Sequence, residues 1–331
     1  MIEGKEVAAA DYVIVGAGSA GCVLANRLSA TGAHDVAVLE YGGSDMGPFI
    51  QMPAALSYPM NMKRYDWGYQ SEPEPHLGGR RLAAPRGKVL GGSSSINGLV
   101  YIRGNPKDFD AWEASGAEGW SGRHVQPYFR RLENVEGADP DIRGTAGPMR
   151  ITRPDQAHPL DQAFMASAVE AGFSRTSDCN GRQQEGFGPM EQTIWNGRRW
   201  STANAYLKPA LGRENLSVLR GLATRVLWKG DRAVGVEFLR GKTRQVIRAR
   251  KEVILSSSVF NSAKLLMLSG IGTKSDLEAL GIGVLRDRRG VGKNLQDHLE
   301  VYLQMRCTRP ITLRKYMNPV SKGLAGAQWL L

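Results

Sequence analysis

The sequence predicts an α/β fold, α+β overall, built around a parallel sheet, and three observations predict it. An apolar run, Tyr12-Val13-Ile14-Val15, has the length and β-branched content of a buried parallel strand. A glycine-rich turn follows at once, with a helix-compatible stretch from Cys22 to Leu28 behind it. A second apolar run, Val36-Ala37-Val38-Leu39, comes next, so strand, helix and strand occur in the order of a βαβ unit.

The turn reads Gly16-Ala17-Gly18-Ser19-Ala20-Gly21, a GxGxxG, and each glycine has a physical role. Gly16 permits the tight turn, Gly18 lets a pyrophosphate approach backbone, and Gly21 lets the helix pack close to the strand. The helix N-terminus supplies unpaired N–H groups and the positive end of a dipole to anionic phosphates. Glu40 closes the second strand about 20 residues beyond the last glycine, where a carboxylate accepts the ribose hydroxyls of an adenosine. A 2′-phosphate beside that carboxylate would be repelled, which disfavours NADP. The pattern therefore defines a Rossmann-like FAD/NAD(P)-binding unit, and by itself leaves NAD and FAD both open.

At 331 residues the chain is long enough for one large domain or two ordinary ones. The three cysteines, Cys22, Cys179 and Cys307, are far apart and form no CxxC pair, so neither a disulfide framework nor a metal site is expected. The 43 Lys and Arg against 32 Asp and Glu give a net charge of +11, but the basic residues are scattered. Scattered charge reads as a solvated face, and no nucleic-acid partner is expected. No run of 18 apolar residues predicts a spanning helix, and MIEGKEVAAA lacks the apolar core of a signal peptide. A cytoplasmic location is expected, with peripheral contact at the inner membrane left open.

Further along, Gly91-Gly92 and Ser93-Ser94-Ser95 make a donor-rich turn before an apolar stretch, Ile96 to Ile102. One reading is a loop whose serines cap a helix; the other is a set of N–H and hydroxyl groups that hold a cofactor. Trp112 to Glu133 contains a helical period carrying Val125, Tyr128, Phe129 and Leu132, and 137–147 reads as a surface excursion. Residues 216–256 alternate, with turns at Lys229-Gly230-Asp231 and Arg240-Gly241-Lys242, which predicts a β-meander followed by a short strand, VILS. Leu265, Leu266 and Leu268 bury the next helix, and Ser269-Gly270 ends it.

Several separated segments then give the chain a family likeness: DYVIVGAGSAG-CVLANRLS with AVLEYGG, GKVLGGSSSINGLVYIRGNPKDFDAW, GRRWSTANAYLKPAL, EVILSSSVFNSAKLLMLSGIG and GVGKNLQDHLEVYLQ. Together they resemble the glucose–methanol–choline (GMC) family of FAD-dependent oxidoreductases, over essentially the whole chain. The resemblance implies that Gly16, Gly18, Ser19 and Gly21 face the FAD pyrophosphate and Glu40 the adenosine ribose. It also implies that Arg86, Gly91, Gly92, Ser93, Asn97 and Gly98 surround the pyrophosphate and isoalloxazine, and that Val226 contacts adenine through its backbone. Asp297 and His298 belong to the family's NLQDH segment, with His298 read as structural, and the other four histidines show no paired acid or base. The FAD-binding domain is expected to be discontinuous, from 8–45, 80–130 and 210–300. Segments 46–79, 135–209 and 301–331 would begin a GMC substrate domain.

Departures from the family pattern bear on the cofactor. Ile96 stands where certain relatives carry a histidine bonded to the flavin, so FAD is expected to be non-covalent. Tyr41 replaces an alanine beside Glu40, Ser258 replaces a glycine, and Ala263 replaces a helix-starting proline. The implied reaction is oxidation of a primary alcohol, choline to betaine aldehyde first, another primary alcohol second. In it a histidine base takes the hydroxyl proton, hydride passes to flavin N5, and electrons leave to a quinone-type acceptor. The chain ends at Gln328-Trp329-Leu330-Leu331 within an apolar helical pattern, and by the resemblance the histidine, its His or Asn neighbour and most of the substrate sheet would follow. The expectation is a truncated chain with no catalytic residue of its own, inactive alone. A non-catalytic nucleotide-binding fragment is the other reading. Trp67, Tyr69 and Trp112 are candidates to meet a quaternary ammonium.

Overall fold

The computed structural model describes residues 4–298 and 302–331; the stretch of GVGKNLQDHLEVYLQ from Leu299 to Val301 and the first three residues lie outside them. The chain divides into two compact units, Met1–Gly98 with Trp200–Asp297, and Leu99–Arg199 with His298–Leu331. Segment 46–79 thus groups with the nucleotide-binding residues, and 99–130 with the second unit. Local pairing explains both placements. Isolated bridges tie Gly43 to Val89, Asp66 to Gly87 and Gln70 to Ala83, whereas Val100 pairs with Gln192 and the Arg103 amide donates to Asn180 Oδ1.

The first unit is a six-stranded sheet built from β1 (Lys5–Val15), β2 (Val36–Glu40), β3 (Leu216–Arg220), β4 (Leu222–Lys229), β5 (Arg232–Arg240) and β6 (Thr243–Leu255). Its order is β3-β2-β1-β6-β5-β4. The pairs β1–β2, β2–β3 and β1–β6 are parallel, and β6–β5 and β5–β4 are antiparallel. The meander and its two turns fall where the alternation placed them, but VILS is not a separate strand. It is the end of β6, which pairs with β5 at its start and with β1 along most of its length, so one strand joins the meander to the parallel sheet.

Every residue of β2 is buried, and Val13, Ile14 and Val38 are fully enclosed, as a strand covered on both faces requires. Val13, Val15, Leu39, Val226, Val236, Phe238 and Ile247 share one core with Leu265. Each such side chain contributes about 1.5–3 kcal/mol by leaving water. Helix α1 (Ser19–Leu28) follows the glycine turn. In the second unit come α2 (Pro106–Ala114), α3 (Gly122–Leu132) and α4 (Pro159–Glu170). The helix expected within 112–133 on Val125, Tyr128, Phe129 and Leu132 is α3, and α2 precedes it. Asn105 caps α2 by accepting from the Lys107 amide, and Gly116 and Gly119 at positive φ interrupt the helical path between α2 and α3. Back in the first unit, α5 (Ser258–Leu268) stops at Gly270 (φ +84°), as expected; Leu265 is buried, but Leu268 is exposed.

The 137–147 excursion is not merely superficial. It carries Arg143, whose side chain is fully buried. Arg143 pairs with Glu133, Asp178 and Glu191; Arg153 also meets Asp178 and Glu191, and Arg103 meets Glu133. Asn180 and Tyr101 donate to Glu191 and Glu133 respectively. Burial opposes ionisation of Glu191, yet hydrogen bonds from Arg143, Arg153 and Asn180 hold its carboxyl below the usual range.

Candidate dinucleotide site

The first unit opens a cavity of about 770 Å³ at the carboxyl ends of its parallel strands, a size usual for a small-ligand site. Val15, Gly16, Gly18, Ser19, Leu39 and Glu40 line one part of it. Gly16 sits at φ +99°, and its backbone lies so close to Ser256 and Ser257 that a side chain there would overlap them. Gly18 is the opposite case: a Cβ there would make only ordinary van der Waals contact, with Ser256 at 3.6 Å, and its backbone lines the cavity that a ligand can enter. Gly21 does not line the cavity. A Cβ on it would run into the Gly16 carbonyl, which is the close helix–turn packing expected of the third glycine.

The Glu40 carboxylate is buried and already ordered. Oε2 accepts the Ala17 amide at 2.8 Å and Oε1 the Gly42 amide at 2.6 Å. Each oxygen keeps acceptor capacity for a ribose hydroxyl. Burial pushes its pKa above the usual carboxylate range, against the opposing pull of those amides. The thiol of Cys22 is likewise pushed up, to about 12, chiefly by burial, and donates to the Ala17 carbonyl; it is a packing residue.

The GGSSS segment forms a short 3-10 turn, Gly92–Ser95, rather than the capped start of a helix. Gly91 and Gly92 both have positive φ, and Gly92 approaches Gly18 so closely that a Cβ would collide with the Gly18 Cα. Gly92, Ser93, Ile96, Asn97 and Arg86 line the cavity. Ser93 Oγ accepts the Gly87 amide, and the Arg86 amide donates to Asp66. Gly91 instead shapes the turn, its amide donating to the Ala17 carbonyl, and Gly98 is exposed outside the lining. Ile96 is buried in the wall, presenting no nucleophilic atom to a flavin.

The Val226 amide donates to Ser269 Oγ and its side chain packs in the core, while β4 lines the cavity through Leu222 and Ala223. A register shift between Ala223 and Arg225 separates the two positions. Sequence reading also passed over Trp67, Asn261 and Lys264 as cofactor-site residues, although all three line the cavity. Ser258 lines it too and retains φ +72°, the left-handed geometry suited to the glycine it replaces. Of its neighbours, Ser257 donates to the Val15 carbonyl and Ser256 to those of Val15 and Gly16.

Asp297 and His298 are exposed and outside the lining. No histidine lines the cavity among the described residues. His124 does have an acidic partner, Glu113 at 3.1 Å, on the exposed surface of the second unit. Trp112 packs there against Phe109 and Trp120, whereas Trp67 and Tyr69 belong to the first unit.

The glycine turn, the buried acid and the adjoining helix ends make a dinucleotide pocket of the Rossmann kind, and comparison with known proteins gives its family. The GMC oxidoreductase family matches residues 10–300, and the chain belongs to it. The chain is 59% identical over 321 residues to an oxygen-dependent choline dehydrogenase of Brucella anthropi, covering 97% of this chain and 58% of that protein. It is 57% identical to one of Rhizobium etli, covering 97% and 59%. It thus spans less than two thirds of the length of these relatives. Among solved structures, pyridoxine 4-oxidase of Mesorbium loti superposes with a TM-score of 0.80 at 34% identity, over 84% of this chain and 55% of that one. An FAD-dependent oxidoreductase of Chaetomium thermophilum gives 0.82 at 32%, over 87% and 52%.

Proposed function

We propose that this chain forms the FAD-holding part of a GMC alcohol dehydrogenase, with choline as the alcohol that the whole protein oxidises to betaine aldehyde. The observation that carries the cofactor reading is the Glu40 carboxylate. It is fixed by two backbone amides in a cavity that the Gly18 backbone also lines. Glu40 would take the ribose hydroxyls. Gly16, Gly18, Ser19, Gly92 and Ser93 would lie along the diphosphate, with the N-terminal ends of α1 and α5 directing positive potential into the same space. Arg86 would contribute charge, Asn97 an amide, and Ile96 a wall to which the cofactor is not bonded. When bound, the flavin supplies the hydride acceptor. The lining residues bind and orient; a proton acceptor for the alcohol is not among their evident roles.

Choline as substrate rests on the names of the relatives above. Another primary alcohol is the second reading, favoured by the fold likeness to pyridoxine 4-oxidase. A quinone-type electron acceptor and peripheral membrane contact belong to the same proposal. Among the described residues no helix is long and apolar enough to cross a membrane.

The test is anaerobic. The chain is loaded with FAD, supplied with choline, and the visible flavin band is followed. The proposal expects FAD to be retained and the band to persist, because among the described residues no histidine lines this cavity. Bleaching at the rate of a complete relative would contradict that division of labour. With a complete relative, bleaching by another primary alcohol but not by choline would favour the second reading.

A further inference from the structure

Beside Glu40, Tyr41 and Trp67 line the cavity and belong to a stack of aromatic rings that Tyr69 continues. Tyr41 lies on Trp67 with ring centroids 5.2 Å apart and planes 24° from parallel, and Trp67 lies on Tyr69 at 6.1 Å and 6°. The stack is held in place from several sides. The Trp67 amide donates to the Arg86 carbonyl, and the Tyr69 hydroxyl donates to Asn261 Oδ1. The Lys88 and Lys264 ammonium groups each lie 5.8 Å from the centroid of the Trp67 ring, and Lys264 also reaches the Tyr69 hydroxyl at 3.3 Å. Trp67 is therefore packed among two rings and two ammonium groups. Tyr41 is the terminal ring, 43% exposed, and among the described residues no ring packs on its other face.

Position in the chain gives that open face a ligand. Glu40 is the residue that would fix the ribose, and the ring attached to a ribose must lie within a short reach of it. Tyr41 is the next residue and lines the same cavity, with Ala223, Leu265 and Leu268 supplying apolar surface elsewhere in the lining. A flat π-system between a tyrosine ring and aliphatic side chains is a favourable setting for a purine. We propose that Tyr41, braced by Trp67, is a positioning residue that stacks on the adenine of the dinucleotide. The tyrosine that replaces the usual small residue would then add purine affinity rather than crowd the ribose. This inference rests on the cofactor reading above and adds to it a role that the glycine motif and acid do not specify.

The experiment compares the full chain with Tyr41→Ala and Tyr41→Phe, the ring being exposed enough for truncation to leave the core intact. FAD binding is read from flavin fluorescence, and binding of ADP and of inorganic pyrophosphate from calorimetry. Tyr41→Ala is expected to weaken FAD and ADP by roughly tenfold, the order of one base–aromatic stack, with pyrophosphate unchanged and Tyr41→Phe close to the parent. Equal FAD and ADP affinity in the parent and in Tyr41→Ala would overturn the inference while leaving the cofactor reading intact. A matching loss for pyrophosphate would also overturn it, since the ring would then be acting on the phosphate site. A parent chain that takes up neither FAD nor ADP would overturn both.

Discussion

Ser258 and Glu40 show opposite ways in which a single residue bears the demands of a site. Ser258 holds a left-handed backbone that L-residues adopt at a cost of about 1–2 kcal/mol. Ser258→Gly should therefore raise the unfolding free energy by about 1 kcal/mol in urea melts, after allowing for the extra freedom glycine gains when unfolded. Glu40 carries its strain as charge. Because burial raises its folded pKa, its protonated form favours the fold below the unfolded pKa, and that contribution is lost as pH rises through the higher folded value. Glu40→Gln should flatten this part of the stability–pH profile and leave the apo chain at least as stable above neutrality, while sharply weakening FAD. The role proposed for Glu40 follows from its place, since a terminal acid on the second strand has one dominant use. The ring stack beside it does not announce itself, since Tyr41, the Trp67–Tyr69 pair and Lys264 come from three separate segments.

At the scale of elements, the glycine turn and α1 form one device. A methyl group on Gly21 would overlap the Gly16 carbonyl, so Gly21→Ala should either push α1 off the turn or unfold it. The expected loss is about 1–3 kcal/mol in chemical denaturation, accompanied by weaker FAD. The element order from Tyr12 to Glu40 was plain in the sequence because strand, turn and helix each impose their own spacing. The meander was plain for the same reason, its turns falling at Gly230 and Gly241, both at positive φ. Within β4 a register shift between Ala223 and Arg225 separates the cavity-lining Leu222 and Ala223 from Val226, and alternation of side chains alone does not reveal it. Within 112–133 the helical period of Val125, Tyr128, Phe129 and Leu132 marked α3, while the glycines of the loop at Ser115–Ser121 separate it from α2.

Across the whole molecule the two units rely on different physics. The first is centred on an apolar sheet core. In the second, a buried group of three arginines and three acids ties 101–103, 133–143, 153 and 178–191 together. Their sequence separation is why no motif announced them. Arg143→Met would strip Glu133 and Glu191 each of one of two arginine partners, leaving Arg103 and Arg153 to hold them, and a loss of about 3 kcal/mol is expected in thermal or urea unfolding. The lowered Glu191 pKa implies that its stabilisation is present above the unfolded value and lost as pH falls through the folded one. Acid should therefore loosen the second unit, a change that amide hydrogen exchange at 133–143 and 178–191 would report.

The central claim is that the space between the Gly16–Gly21 turn, Glu40 and the Gly92–Ser95 turn is an FAD site. Calorimetric titration of FAD into the purified chain tests it most directly. The account predicts saturable binding of one FAD per chain, competed by ADP and strongly reduced in Glu40→Gln. Absence of saturable binding, or FAD affinity unaffected by both ADP and Glu40→Gln, would contradict it.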